Sequence, residues 1–270
     1  TIPLIKVENT RKAMSKIANN FYGSPSSKLN TIGITGTNGK TTTTFILNKI
    51  LNDNGFSTGS IGTLGFISAS EILNTGFTTP ESIELHNLLD KLIGGGIKNV
   101  VMEVSSHALA LHRMDDVNIN TAIFTNLSEE HLDFHGSMDK YFQEKLKLFT
   151  KLKSNDYSII NIDNDYSRKI IEHTKSKIIT YGFSSKADIY PTSHRITATE
   201  MFFELSIFDS NHRFKTNLIG KHNIYNIMAA VSAASVNNIP ITDIINSIKS
   251  ISAVPGRLEF IGTKNKKIFI

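Results

Sequence analysis

Residues 31–44, Thr-Ile-Gly-Ile-Thr-Gly-Thr-Asn-Gly-Lys-Thr-Thr-Thr-Thr, decide how this chain is read. A short apolar run leads into a loop framed by Gly36 and Gly39, then Lys40, then a string of hydroxyls opening a helix. Main-chain N–H groups in such a loop, with the positive end of a helix behind them, form a cavity for phosphate oxygens. Lys40 supplies a point charge near the β- and γ-phosphates and Thr41 a hydroxyl for Mg²⁺. The spacing is tighter than the common GxxxxGK[ST] loop, because Ile34 stands where that pattern needs glycine. A plain glycine turn before a helix requires neither the lysine nor the hydroxyl, so the segment reads as a nucleotide site.

Outward from this loop, strands alternate with helices. Strands are expected at 30–35, 57–61, 98–104, 119–125, 157–162 and 177–181, and helices at about 40–54, 81–93, 138–152 and 165–174. The run Val100-Val-Met-Glu-Val104 is nearly all apolar, as a strand of a parallel sheet covered on both faces should be. The fold class is therefore α/β, a mostly parallel sheet flanked by helices, with ligands beyond the carboxyl ends of the strands. Ahead of it, residues 9–22 form a helix capped by Asn9 or Thr10, with Ala13, Met14, Ile17 and Ala18 on one side. Gly23-Ser-Pro-Ser-Ser27 acts as a connector. After Tyr181, three strand-like runs within 186–219 predict a small antiparallel β appendage, followed by helices near 222–236 and 241–251 and a boundary at Pro255-Gly256. The expected divisions are 1–28, 29–254 and 255–270.

Composition bounds the function. With 270 residues and 40% hydrophobic content the chain can bury a full core. The absence of cysteine excludes a disulfide scaffold and a thiolate metal site. No apolar run approaches the roughly 20 residues that span a bilayer, and the first residues do not read as a signal peptide. A soluble cytoplasmic protein is expected. The net charge of +5 is spread along the chain. Lys145, Lys147, Lys151 and Lys153 form its densest cluster, which reads as a solvated helix face rather than a nucleic-acid groove. Both ends look cut: there is no initiating methionine, and Lys267-Ile-Phe-Ile270 stops inside a strand-like run.

Three further clusters carry chemistry. Glu103-Val-Ser-Ser-His107 follows a buried strand and puts a carboxylate where an ATPase holds its metal, although a satisfied glutamate at a strand end reads equally well. Asn126-Leu-Ser-Glu-Glu-His-Leu-Asp-Phe-His135 has two histidines and three acids that could bind metal or serve the turn itself. Tyr141-Phe-Gln-Glu-Lys145 lies on a helix, where Lys145 alone reads as a surface lysine.

Together, in order, ITGTNGKTTTT (34–44), TTPES (78–82), EVSSHAL (103–109), HR (112–113), FTNLSEEHLDFHG (124–136), YFQEKLKLF (141–149), GKHNIYN (220–226) and VPGRLE (254–259) resemble the Mur ligase family of ATP-dependent peptide-bond-forming enzymes. Within it they resemble the branch that adds the third residue to a UDP-N-acetylmuramoyl dipeptide in peptidoglycan precursor synthesis. Folylpolyglutamate synthases share the ancestral loop, but typically have glycine where this chain has Thr41. That family or, less directly, a non-catalytic nucleotide-binding module is the alternative.

The resemblance implies an amide ligase acting through an acyl phosphate. It implies that Gly36, Thr37, Asn38, Gly39, Lys40, Thr41 and Thr42 hold the ATP phosphates. Thr41 and Glu103 would hold one Mg²⁺, and Glu103 with His131 a second. Lys145 matches a lysine that takes up CO₂ as a carbamate and supports metal. Asn223 and Asn226 match adenine-side asparagines, with a helix N-cap as the competing reading of Asn223, and Arg257 matches an arginine that reaches the nucleotide. Thr78, Thr79, Ser105 and Arg113 match positions that hold the muramoyl dipeptide. Phe77 and Leu111 stand where the family often has asparagine and glutamine, and Glu130 where many members have aspartate. The implied partners are a UDP-N-acetylmuramoyl dipeptide and an amino acid, with no nucleic acid or membrane and a monomeric chain. The resemblance also implies the end of a first domain at 1–28, a central ATPase domain at 29–254 and the start of a third domain at 255–270, so that the isolated chain would bind ATP weakly and ligate nothing.

Overall fold

A computed structural model of the chain describes residues 4–69, 71–257, 262–264 and 267–269. Leu258, Glu259 and Ile270, which end the last two sequence signals, lie outside the described residues. Helix α1 (Thr10–Phe21) begins at Asn9, whose side chain accepts from the amides of Arg11 and Lys12, so Asn9 is the cap. The connector after it holds one 3₁₀ turn, Pro25–Lys28. Then follow β1 (Asn30–Thr35), α2 (Lys40–Asp53), β2 (Thr58–Gly62), β3 (Gly65–Ile67), β4 (Ile72–Leu73), α3 (Ser82–Gly94), β5 (Asn99–Glu103), α4 (Ser106–Ala110) and β6 (Thr121–Phe124). The chain continues through α5 (Leu132–His135), α6 (Met138–Thr150), β7 (Tyr157–Asn161), α7 (Ser167–His173) and β8 (Lys177–Tyr181). It closes with β9 (Ile189–Ile196), β10 (Met201–Ile207), β11 (Ser210–Thr216), α8 (Lys221–Val236), α9 (Ile241–Lys249) and the pair β12 (Gly262–Lys264) and β13 (Lys267–Phe269).

One sheet carries the strands in the order β11-β10-β9-β8-β7-β6-β1-β5-β2-β3-β4. From β8 to β2 every pairing is parallel. The antiparallel runs β9–β11 continue this sheet through the Tyr181–Ile189 pair, so the expected appendage is its rim. At the other edge, β2, β3 and β4 form an antiparallel meander that was not expected. Its strands of three and two residues are too short to show a period, and at Gly65, φ +97°, a Cβ would run into the carbonyl of Leu73.

Two apolar layers clamp the sheet. Ile46, Leu47 and Ile50 of α2, Ile224 and Ile227 of α8, and Ile244 and Ile248 of α9 cover one face. Leu85 and Leu89 of α3, Leu109 of α4, and Phe142 and Phe149 of α6 cover the other. Each such side chain taken fully out of water contributes roughly 1.5–3 kcal/mol, which fixes β1 between β5 and β6. Since β5 and β6 leave β1 on opposite sides, the crevice at their carboxyl ends is a topological switch point, and the 36–42 loop opens into it.

One side chain departs from the sequence reading. Ile17 is 64% exposed and lines, with Ile5, Val7, Met14, Phe21 and Ile83, an apolar groove of about 490 Å³. His86 of α3 is completely buried, and neither ring nitrogen has a hydrogen-bond partner among the described residues. Burial holds its pKa below the usual imidazole value, partly offset by Asp116. The unfolded chain therefore binds a proton more readily than the native one, and stability is lost as pH falls through the unfolded value of about 6.5. Thermal melts between pH 8 and 5 are expected to show the native chain losing stability on acidification and His86→Leu losing less. An identical acid limb would show that His86 is not responsible.

Candidate active site

The loop between β1 and α2 needs its glycines. Gly39 caps α2 at φ +87° with no side-chain hydrogen bond, leaving the first-turn amides free for an anion. A Cβ on Gly36 would run into the Thr125 hydroxyl and the Asn126 backbone, and one on Gly39 into the Asn226 amide. The carboxyl ends of β1 and β6 thus approach to backbone contact, with Thr37 N donating to Asn126 O at 2.9 Å.

Beyond these strand ends lies a cavity of about 980 Å³. Its wall takes in residues 37–42, Thr78, Glu103, His131, Asn223, Asn226 and Arg257, which brings together most of the positions singled out in the sequence. Lys40 folds back on its own loop, donating to Gly36 O at 2.8 Å and Thr37 O at 2.7 Å. Thr41 Oγ1 donates to Glu103 Oε2 at 3.0 Å and accepts from Arg257 Nη2 at 3.2 Å. Glu103 is 1% exposed and, among the described residues, forms no ion pair. Thr63 holds it from the β2–β3 turn: its amide donates to Oε1 at 2.7 Å and its hydroxyl to Oε2 at 3.2 Å. A buried carboxylate flanked by hydroxyls and in no direct ion pair fits a hard divalent cation. His131 sits in the left-handed region at φ 55° with its ring half exposed, a conformation unusual outside glycine and concentrated at functional sites.

Lys145 is not the surface lysine its sequence context suggested. It is 1% exposed, lies behind the phosphate loop rather than on the cavity wall, and donates to Gly36 O at 2.9 Å with its amine 4.6 Å from the Tyr141 ring centroid. Two amines, Lys40 and Lys145, therefore share one carbonyl oxygen. Burial first, and then the charge of Lys40, hold the Lys145 pKa well below that of a free lysine, with Glu130 opposing. Lys40 is likewise lowered by burial, while Glu103 and Glu130 push it back up.

The remaining expected residues form two neighbouring groups. On α8, Gly220 rather than Asn223 is the N-cap; Asn223 donates to Ile219 O at 2.8 Å and accepts from Asn226 at 2.9 Å. On the other side, Thr79 Oγ1 donates to Glu103 O at 2.8 Å and meets Ser105 Oγ at 3.3 Å, while Thr78 Oγ1 is 3.2 Å from Thr63 Oγ1. Arg113 is buried, donates to Thr79 O at 2.8 Å, pairs with Glu81 at 2.7 Å and stacks on Phe77.

Sequence reasoning missed Thr63 and the far end of the cavity, where Asn161, Asp163, Asn164, Tyr181 and Tyr225 gather. Asp163 accepts from Tyr225 OH at 2.8 Å and from the Phe183 amide, which clips α8 to the turn after β8. The polar run Asn161-Ile-Asp-Asn164 at a strand's carboxyl end was the available signal. Among the described residues no helix is long and apolar enough to cross a membrane, and no group of three His, Asp or Glu side chains forms a metal cluster. The histidines and acids of 126–135 are thus no metal site by themselves.

Residues 34–234 match the family model described as Mur ligase middle domain. The UDP-N-acetylmuramoyl-L-alanyl-D-glutamate--2,6-diaminopimelate ligase of Caldanaerobacter subterraneus subsp. tengcongensis is 40% identical over 262 residues, which are 97% of this chain and 54% of that protein. A solved structure of a ligase with the same name superposes with a TM-score of 0.84 at 24% identity, over 94% of this chain and 53% of the other. The MurF ligase of Thermotoga maritima in complex with ADP superposes at 0.76 and 19% identity, over 98% and 57%. These two likenesses concern the fold. The chain spans about half the length of the curated relatives it matches. On the family model covering most of its length, and on a relative 40% identical over nearly the whole chain, the chain belongs to the Mur ligase family.

Proposed function

We propose that this chain is the nucleotide-binding part of a cytoplasmic ATP-dependent amide ligase that adds an amino acid to UDP-N-acetylmuramoyl-L-Ala-D-Glu. The relatives' names point to 2,6-diaminopimelate as that amino acid. Their length supports 29–254 as a central ATPase domain, with 1–28 ending a preceding domain and 255–270 beginning the next.

The observation that carries the reading is the pair of amines on the Gly36 carbonyl, part-buried Lys40 and buried Lys145, beside a phosphate loop whose Thr41 reaches the buried carboxylate of Glu103. In the proposed reaction the dipeptide's terminal carboxylate attacks the γ-phosphorus, ADP leaves, and an acyl phosphate forms. The incoming amine then attacks the acyl carbon, loses a proton and expels phosphate. Residues 36–42 cradle the phosphates, and Lys40 leaves its two carbonyls to meet the charge of the transferring group. Thr41 and Glu103 would hold one Mg²⁺, and Glu103 with His131 a second; bound there, the ions neutralise phosphoryl charge. A neutral Lys145 amine is the form that adds CO₂, and its carbamate would carry the anionic oxygens that amine lacks. Asn223, Asn226 and Arg257 serve the nucleotide, and Thr78, Thr79, Ser105 and Arg113 the dipeptide.

The test is phosphate release by the natural full-length gene product. Release is expected to require both UDP-N-acetylmuramoyl-L-Ala-D-Glu and 2,6-diaminopimelate. Release that follows folate and glutamate, or that ignores both acceptors, would refute the substrate assignment.

A further inference from the structure

Tyr141 has no place in the reaction as proposed, yet it is 1% exposed and occupies the junction between the two halves of the site. Its hydroxyl lies 3.2 Å from Thr37 Oγ1. Thr37 Oγ1 in turn accepts from Ser128 N at 3.0 Å, one residue along from the Gly36 carbonyl that both lysines hold. Ser106 Oγ is 2.9 Å from His135 Nε2, and the His135 ring stacks on Tyr141 at 4.8 Å. Beside it, Ser105 caps α4 and meets Thr79, which Arg113 holds by its carbonyl. A continuous run of hydrogen bonds, one ring stack and bonded neighbours therefore joins the phosphate loop to the Thr79–Ser105–Arg113 group.

A core position of this shape is filled as well by phenylalanine, which avoids taking a hydroxyl out of water. The hydroxyl is kept and its partner Thr37 belongs to the phosphate loop, while the ring stacks on His135, which holds Ser106. Burial raises the Tyr141 pKa, so it acts as a neutral donor and acceptor. We propose that Tyr141 is a positioning residue that couples the phosphate loop to the Ser105–Ser106 corner, so that nucleotide arriving at residues 36–42 orders the neighbouring substrate-side group. This rests on the nucleotide reading given above. The coupling runs through a two-ended contact rather than through distance alone.

Amide hydrogen exchange of this chain, with and without saturating ADP and Mg²⁺, tests it. In the native sequence nucleotide should slow exchange about fivefold or more both in 36–42 and in 105–110. Tyr141→Phe keeps the ring, its stack on His135 and its place under Lys145, and should protect 36–42 while leaving 105–110 unchanged. Ser106→Ala cuts the other end of the bridge and should give the same split, which guards against a folding defect peculiar to one variant. A merely structural tyrosine would shift melting temperature and leave the split absent. Protection of 105–110 in Tyr141→Phe at the native level overturns the coupling, as does a native response confined to 36–42. Absence of any protection at 36–42 in the native chain overturns the nucleotide reading itself.

Discussion

Replacing Lys145 with alanine is expected to cut amide-forming turnover by about a thousandfold or more, the scale on which losing a group that stabilises transition-state charge is felt. Lys145→Met is the sharper variant, since it keeps the buried stem and removes only the amine. The native side chain is 1% exposed, so the methionine stays out of water against the Tyr141 ring. Both variants should still bind ADP, because Lys40 remains to hold Gly36 O and to reach the phosphates. In ¹³C-bicarbonate the native protein should show a carbamate resonance that Lys145→Met lacks. Native turnover in either variant would remove the lysine from the mechanism.

The second large effect is expected from a single methyl group. Gly36→Ala places a Cβ against Thr125 Oγ1 and the Asn126 backbone at a φ of +153°. Neither neighbour can retreat, because Thr125 Oγ1 also donates to Asn38 O at 2.6 Å and Thr125 O accepts from Asn161. Strain of about 2 kcal/mol or more must be relieved by moving the loop, so ADP affinity measured by calorimetry should fall at least 30-fold. Gly55→Ala is the control: its φ is also positive, at +80°, but nothing lies within 4 Å of the added carbon and it is remote from the cavity. Equal ADP affinity for Gly36→Ala and the native chain would show that the close approach of β1 and β6 is not what shapes the site.

Why the central fold was legible is clear from β1, β5 and β6. Both faces of each strand are covered, so β5 and β6 carry the apolar runs at 100–102 and 122–124 and β1 its Ile32 and Ile34, and helices such as α2 and α3 are long enough to show their period. What stayed hidden was short or contributed from a distance. β3, β4, α4 and α5 span two to five residues each, less than one repeat of a usable pattern. Thr63 reaches Glu103 from 40 positions away, a neighbour no local spacing announces. Lys145 is different, because its burial was written in α6: Tyr141, Lys145 and Phe149 recur every four residues on the buried stripe. Its charge, set among Lys147, Lys151 and Lys153, masked that period.

The Gly36 carbonyl oxygen has two lone pairs, and in this structure two amines engage them. Donors on a peptide oxygen withdraw electron density through the conjugated bond and make the following N–H a stronger donor, a mutual reinforcement along the chain. That N–H belongs to Thr37 and is the tether to Asn126. Two cationic donors on one oxygen thereby tighten, within a single amide group, the stitching between two adjacent strand ends.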